Sequence, residues 1–200
     1  RIGTGGYGMK KIQRDGLLFE LIDELTNYGS WCGETHIQKA TYFLEAMMGI
    51  PLGFPYVLYK HGPFSFDLSD ELASKRADAL LEWEIKPEPY GNALKTTDVS
   101  AGLKARVPRT LARYRPAISF VAKKFGTRGV KDLEKISTAL YVTNEAPGRG
   151  REARARRITE LKPHITFDEA KEAVCFVDEM FREAEPVIRE IGGGERLSAG

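Results

Sequence analysis

Apolar residues recur at helical spacing in several separate windows of the chain. Leu17, Leu18, Leu21, Ile22 and Leu25 make one stripe, with Asp15 as its expected N-cap and Asn27-Tyr28-Gly29 as its end. Ile37, Ala40, Thr41, Leu44 and Met48 make a second, stopped by Gly49 and Pro51. Thr35 and Gln38 have the spacing of a capping box at its start. Ser65 is placed to cap a third helix, with Phe66, Leu68, Leu72, Ala79 and Leu80 directed inward. Between the second and third helices, residues 50–63 hold Pro51, Gly53, Pro55, Gly62 and Pro63 around one short strand candidate, Tyr56-Val57-Leu58-Tyr59. Proline fixes φ and removes donors, so a rigid, irregular segment ending in a Gly-Pro hinge is expected.

Period-two alternation then takes over. Leu81-Glu82-Trp83-Glu84-Ile85 alternates apolar and polar, Pro87-Glu88-Pro89-Tyr90-Gly91-Asn92 is turn chemistry, and Ala93-Leu94-Lys95-Thr96 can return as the partner strand. Helix, helix, hairpin is the order of a winged helix, with the hairpin as the wing. From Pro108 the pattern is helical. Pro116 should open or kink a new segment running through Phe120, Val121 and Phe125, and Gly126-Thr127-Arg128-Gly129 should break it. Leu133, Ile136, Ser137 and Leu140 define a further helix, and residues 151–161 a basic one ended by Pro163. Thr166 and Glu169 form a capping box ahead of a long helix that buries Ala170, Ala173, Val174, Val177 and Phe181. The expected class is therefore mainly α with a small β-hairpin. A winged-helix-like N-terminal part, residues 9–107, is packed with a C-terminal helical part, residues 108–191. Met9-Lys10-Lys11 reads as a natural start, which makes residues 1–8 a cloning remnant or a disordered tail. Residues 192–200, from Gly192-Gly193-Gly194, read as a second disordered tail.

Composition adds limits. At 200 residues, 42% hydrophobic and 29% charged, the chain can fold on its own core without a disulfide or metal. Cys32 and Cys175 lie far apart and form no CxxC pair, which fits reduced thiols in a cytoplasmic protein. No apolar run is long enough for a membrane span. The net charge of +2 hides an uneven distribution: residues 99–157 hold fifteen of the thirty Lys and Arg, whereas residues 158–200 hold ten acids. That asymmetry fits a nucleic-acid face, two complementary surfaces within one fold, or solvated helix faces.

Candidate chemistry is sparse. Cys32, His36, His61 and His164 offer no second close pair of ligands, so neither a metal site nor a cofactor is expected. Asp67, Asp70 and Glu71 fall on one polar helix face at the dipole-favoured end. No catalytic motif stands out. Lys39 lies off its helix's apolar stripe, and points either to solvent or toward the Gly-Pro loop, whose carbonyls it can reach as a donor. Tyr59, Lys60, His61, Phe64 and Phe66 surround that rigid loop, and with Gln38 and Lys39 they form the candidate partner-binding set. The alternative is a nucleic-acid regulator using the basic segments 104–131 and 149–157. Its contacts would be Lys123, Lys124, Arg128, Arg149, Arg151, Arg154, Arg156 and Arg157, because arginine forks suit phosphates.

Gln38-Lys39 leading to Tyr42-Phe43-Leu44, followed by His61-Gly62-Pro63-Phe64-Ser65, Leu68 and Glu71-Leu72, resembles the Panacea-type antitoxin domain and the YwgA-like bacterial proteins. Tyr90-Gly91-Asn92 with Thr96-Thr97 is similar to the family's wing-like segment, and Leu161-Lys162-Pro163-His164-Ile165-Thr166 resembles a junction of YwgA-like members. The likeness covers residues 14–185. It implies a mostly helical domain with a small hairpin that works by contact rather than chemistry, with a protein partner such as a toxin encoded nearby. The basic stretch Arg149–Arg157 has no counterpart in the antitoxin pattern.

Overall fold

The computed structural model describes residues 9–85 and 91–193. Within them the chain is mainly helical, with two small antiparallel hairpins. The elements run α1 (Lys11–Asn27), α2 (Glu34–Ala46), β1 (Val57–Tyr59), β2 (Gly62–Phe64), α3 (Phe66–Ala77), β3 (Leu81–Glu84) and β4 (Ala93–Thr96). They continue with α4 (Asp98–Lys104), α5 (Pro108–Phe125), α6 (Val130–Glu145), α7 (Arg151–Leu161) and α8 (Phe167–Gly193). Residues 1–8, the turn residues Pro87–Tyr90 and the expected tail beyond Gly193 fall outside the described residues.

One hydrophobic core joins the two halves. Leu18, Leu21, Ile22 and Leu25 of α1 face Ala117, Ile118, Val121 and Ala122 of α5, and α8 closes over α5, α6 and α7 with Ala170, Val174, Val177 and Met180. Phe43 of α2 meets Phe125 of α5 edge to face, ring centroids 4.6 Å apart, at the junction of the two parts. A boundary near residue 107 thus separates sequence segments that share a single core.

Several local expectations are corrected. Asp15 does not cap α1. The helix starts one turn earlier, with Lys10 as N-cap residue, and Asp15 is buried within it, 2.8 Å from the buried Lys75 of α3. A buried charge is held by its opposite, and that pairing moved Asp15 from cap to core. Thr35 and Gln38 do not form a capping box either: Gly33 is the N-cap residue of α2, and Gln38 is fully buried. The Gly-Pro stretch is not only a hinge, because Gly62-Pro63-Phe64 pairs back on Val57–Tyr59 as a second hairpin. Phe66 does not point inward but is 54% exposed, and Ala79 is an exposed residue at φ +55°. Pro116 does not open a new helix. It sits inside the continuous α5, which gives up only the bond that an N–H there would donate to the Ala112 carbonyl. Gly192 and Gly193 belong to α8.

Other signals hold as read. Ser65 caps α3 by accepting from the Leu68 N–H, and Thr166 and Glu169 close the capping box ahead of α8. The β3–β4 hairpin forms with Leu81 opposite Thr96 and Glu84 opposite Ala93. Thr97 caps the short α4.

Candidate functional site

Hairpin β1–β2 is a surface element held from below by buried polar groups. Tyr59 and Gly62 close a two-residue turn of Lys60 and His61. Gly62 has φ +85°, and a Cβ there would lie 2.9 Å from Ser137 Oγ and 3.2 Å from Thr138 Oγ1 of α6. Only glycine allows both that conformation and that approach. Beneath β2, Lys39 Nζ donates to the Pro63 carbonyl at 2.7 Å, although Lys39 is 1% exposed. Gln38 donates to the Ser65 carbonyl at 2.9 Å and accepts from the Ser65 N–H at 3.0 Å. From the α7–α8 junction, Lys162 Nζ donates to the carbonyls of Tyr59 and of Lys60, the latter at 2.6 Å.

These groups stand in a charged cluster. The nearly buried Glu134 of α6 lies 3.8 Å from Lys162 Nζ, 3.1 Å from His164 Nε2 and 3.5 Å from His61 Nδ1. Burial lowers the Lys39 ammonium to about 8, opposed by the attraction of Glu134. The same desolvation lowers Lys162, again opposed by Glu134. Glu134 is thus the counter-charge that lets two lysines hold hairpin carbonyls away from water.

Above this base the hairpin presents aromatics. Tyr59, Phe64 and Phe66 are mutually in contact, with ring centroids 5.9, 5.5 and 5.1 Å apart. Val57, directly opposite Phe64, extends the same face. Val57, Tyr59 and Phe66 are each about half exposed, and the Lys60 ammonium lies 6.0 Å from the Tyr59 ring. Beside the patch, a cleft of about 790 Å³ has Glu134 in its lining with His61, His164, Lys60 and Lys131. The carboxylate lies within reach of both imidazoles. No hydroxyl or thiol lines this cleft among the described residues.

The candidate sets are therefore sorted by the fold. Tyr59, Phe64 and Phe66 form one patch, and Lys60 and His61 line the cleft beside it. Gln38 and Lys39 do not join them there: their side chains are buried, and they position the hairpin without meeting a partner. Residues 38–66 thus form two layers, a supporting one and a displayed one.

The basic segment has a different fate. Arg154 is buried and forks onto Asp178 of α8 at 2.7 and 3.0 Å, and Arg151 reaches the same carboxylate at 2.8 Å. Arg157 pairs with Glu145 and Glu160, Lys124 with Glu183, and the Arg128 guanidinium stacks 4.1 Å over Phe176. Lys123, Arg149 and Arg156 remain exposed. The basic middle and the acidic end of the chain face each other across α7 and α8, one of the readings the charge pattern allowed.

The remaining polar candidates are dispersed. Cys32 is buried, with its thiol raised to about 12 by desolvation, and His36 is bonded to the Arg128 carbonyl at 2.7 Å. Glu71 is tied to Arg14 and Lys75, whereas Asp67 and Asp70 lie exposed on α3. Sequence reasoning passed over Glu134, which adjoins the apolar stripe of α6 as an isolated charge. It also passed over Val57, whose exposure depends on a hairpin not anticipated. The sequence matches no protein-family model, no curated protein and no solved structure.

Proposed function

We propose that the chain is a non-catalytic protein-interaction module, similar in role to a Panacea-type antitoxin, which neutralises or regulates a partner protein in the cytoplasm by direct binding. The observation that carries this reading is the exposed Tyr59–Phe64–Phe66 cluster on a hairpin whose backbone is fastened by Gln38, Lys39 and Lys162. Aromatic side chains on a fixed backbone bind with little loss of conformational freedom, and such residues dominate interface energies. The resemblance of the Gln-Lys helix and the Gly-Pro stretch to the antitoxin domain supports the same reading. In the nucleic-acid alternative, Arg151, Arg154 and Arg157 would first have to leave carboxylate partners.

The test is co-expression of the open reading frame neighbouring this chain's own, with growth as the readout. A neighbour that arrests growth alone, and is silenced by the chain but not by its Phe64→Ala/Phe66→Ala variant, is the expected outcome. A harmless neighbour, or silencing that survives both substitutions, counts against the proposal.

A further inference from the structure

The cleft beside the aromatic patch is positive in balance. Its lining holds Lys60, Lys131 and Lys135 with His61 and His164, against the carboxylates Glu134 and Glu169. Both carboxylates are answered from within the fold. Glu134 stands 3.8 Å from the buried Lys162 Nζ and attracts the buried Lys39. Glu169 accepts from the N–H and the hydroxyl of Thr166 and lies 3.5 Å from Lys135 Nζ, while Asp132, the acid in the first turn of α6, is paired with Lys135 at 3.1 Å. Lys60 in the β1–β2 turn and Lys131 in the first turn of α6 are different. Both are exposed, and neither has an ion-pair partner among the described residues. Gly129, the N-cap residue of α6, has no side chain to bond the free N–H groups of that turn, so the helix dipole adds positive potential beside Lys131. Lys60 joins the cleft to the patch: it lines the one, and its ammonium lies 6.0 Å from the Tyr59 ring of the other. Asp67 and Asp70, which follow Phe66 on α3, line a separate cleft with Arg14 and Phe54.

We infer that the partner segment docking on the β1–β2 face is an acidic one, with an apolar anchor seated on Tyr59, Phe64 and Phe66 and carboxylates lying in the cleft against Lys60 and Lys131. This rests on the proposed function and deepens it by naming the partner's chemistry at the same face. The two uncompensated ammoniums attract an acidic segment and repel a basic one, so the cleft sets which apolar segments are accepted. Because both lysines are exposed, the attraction weakens with salt, whereas the apolar contact does not.

Fluorescence anisotropy with the full chain and labelled synthetic peptides tests it. Three peptides carry a Trp-Leu anchor followed by a run of glutamates, of glutamines or of lysines, and a fourth carries the glutamates without the anchor. At low salt the anchored glutamate peptide should bind about tenfold more tightly than the glutamine peptide and than the unanchored one, with the lysine peptide weakest. High salt should close the gap between glutamate and glutamine. The double variant Lys60→Glu/Lys131→Glu, at two exposed positions, should reverse the order of the glutamate and lysine peptides, and Lys60→Gln/Lys131→Gln should level it. Phe66→Ala should weaken all three anchored peptides alike. Glutamate and glutamine peptides bound equally, a preference that survives both double substitutions, an unanchored peptide bound as tightly as the anchored one, or no binding by any peptide overturns the inference. If the glutamate and glutamine peptides bind equally and Phe66→Ala still weakens both, the acidic partner falls while the docking face of the proposed function stands.

Discussion

Lys39 Nζ donates to the Pro63 carbonyl at 2.7 Å from a position that is 1% exposed. This one bond ties the amphipathic helix α2 to the hairpin that carries the aromatic patch. Burial lowers the ammonium from its ordinary 10.5 to about 8, with Glu134 opposing, so the folded chain sheds this proton more readily than the unfolded chain. Between those two values the unfolded state binds more protons, and stability rises with pH. Below pH 8 both states are charged and the full cost of the buried ammonium remains. Denaturant titrations at pH 7.5 and 9.5 should therefore show the wild type gaining on Lys39→Met by on the order of 1–2 kcal/mol. A pH-independent difference between the two proteins would contradict the assignment.

Gly62→Ala should cost about 2–3 kcal/mol. The new Cβ meets Ser137 Oγ at 2.9 Å, and φ +85° is strained for any L side chain. Urea unfolding measures it. A matching Ala substitution at Gly150, which has ordinary φ and open space around it, should change stability by less than about 1 kcal/mol.

Arg154→Met should destabilise by about 3 kcal/mol, because Asp178 is left without its forked partner, whereas Arg156→Ala at an exposed site should move stability by less than about 0.5 kcal/mol. Partial burial raises the Asp178 carboxyl, but the bonds from Arg154 and Arg151 outweigh it and hold the group below its ordinary 3.8. That stabilisation is fully present above the ordinary value and is lost as pH falls through the folded one. Asp178→Asn should therefore flatten part of the acid limb in thermal melts recorded from pH 5 to 2.

Much of the architecture is legible from local chemistry. Ser65, Thr166 with Glu169, and Pro108 mark helix starts because caps and first-turn prolines act within four residues. The β3–β4 hairpin is legible from alternation. What local patterns miss is set by distant partners. Asp15 looks like a cap until Lys75, sixty residues on, draws it into the core. Gln38 looks like half of a capping box until both its amide groups meet the Ser65 backbone. The arginines of α7 look like a phosphate-binding run until Asp178 is placed opposite them. The aromatic half of the site was legible because a proline-stiffened loop is a local property. Of its charged base, the reach of Lys39 to the Gly-Pro loop was legible, whereas Glu134 and Lys162 were not, because they come from other helical regions.

The aromatic positions separate docking from folding. Phe66→Ala should leave stability within about 1 kcal/mol of wild type, since the ring is 54% exposed, whereas Phe64→Ala, more deeply placed, should cost about 1–2 kcal/mol. Thermal melts of the two variants check the order, and a larger loss for Phe66→Ala would mean that its ring supports the fold.

Docking of a partner protein on the β1–β2 face is open to photo-cross-linking in the native cell. Phe66 is replaced by p-benzoylphenylalanine in one strain. Trp83, an exposed aromatic on the other hairpin, is replaced in a second. The account predicts an adduct to a second, different polypeptide from position 66 and none from position 83. No such adduct from position 66, or the same adduct from both positions, would contradict it.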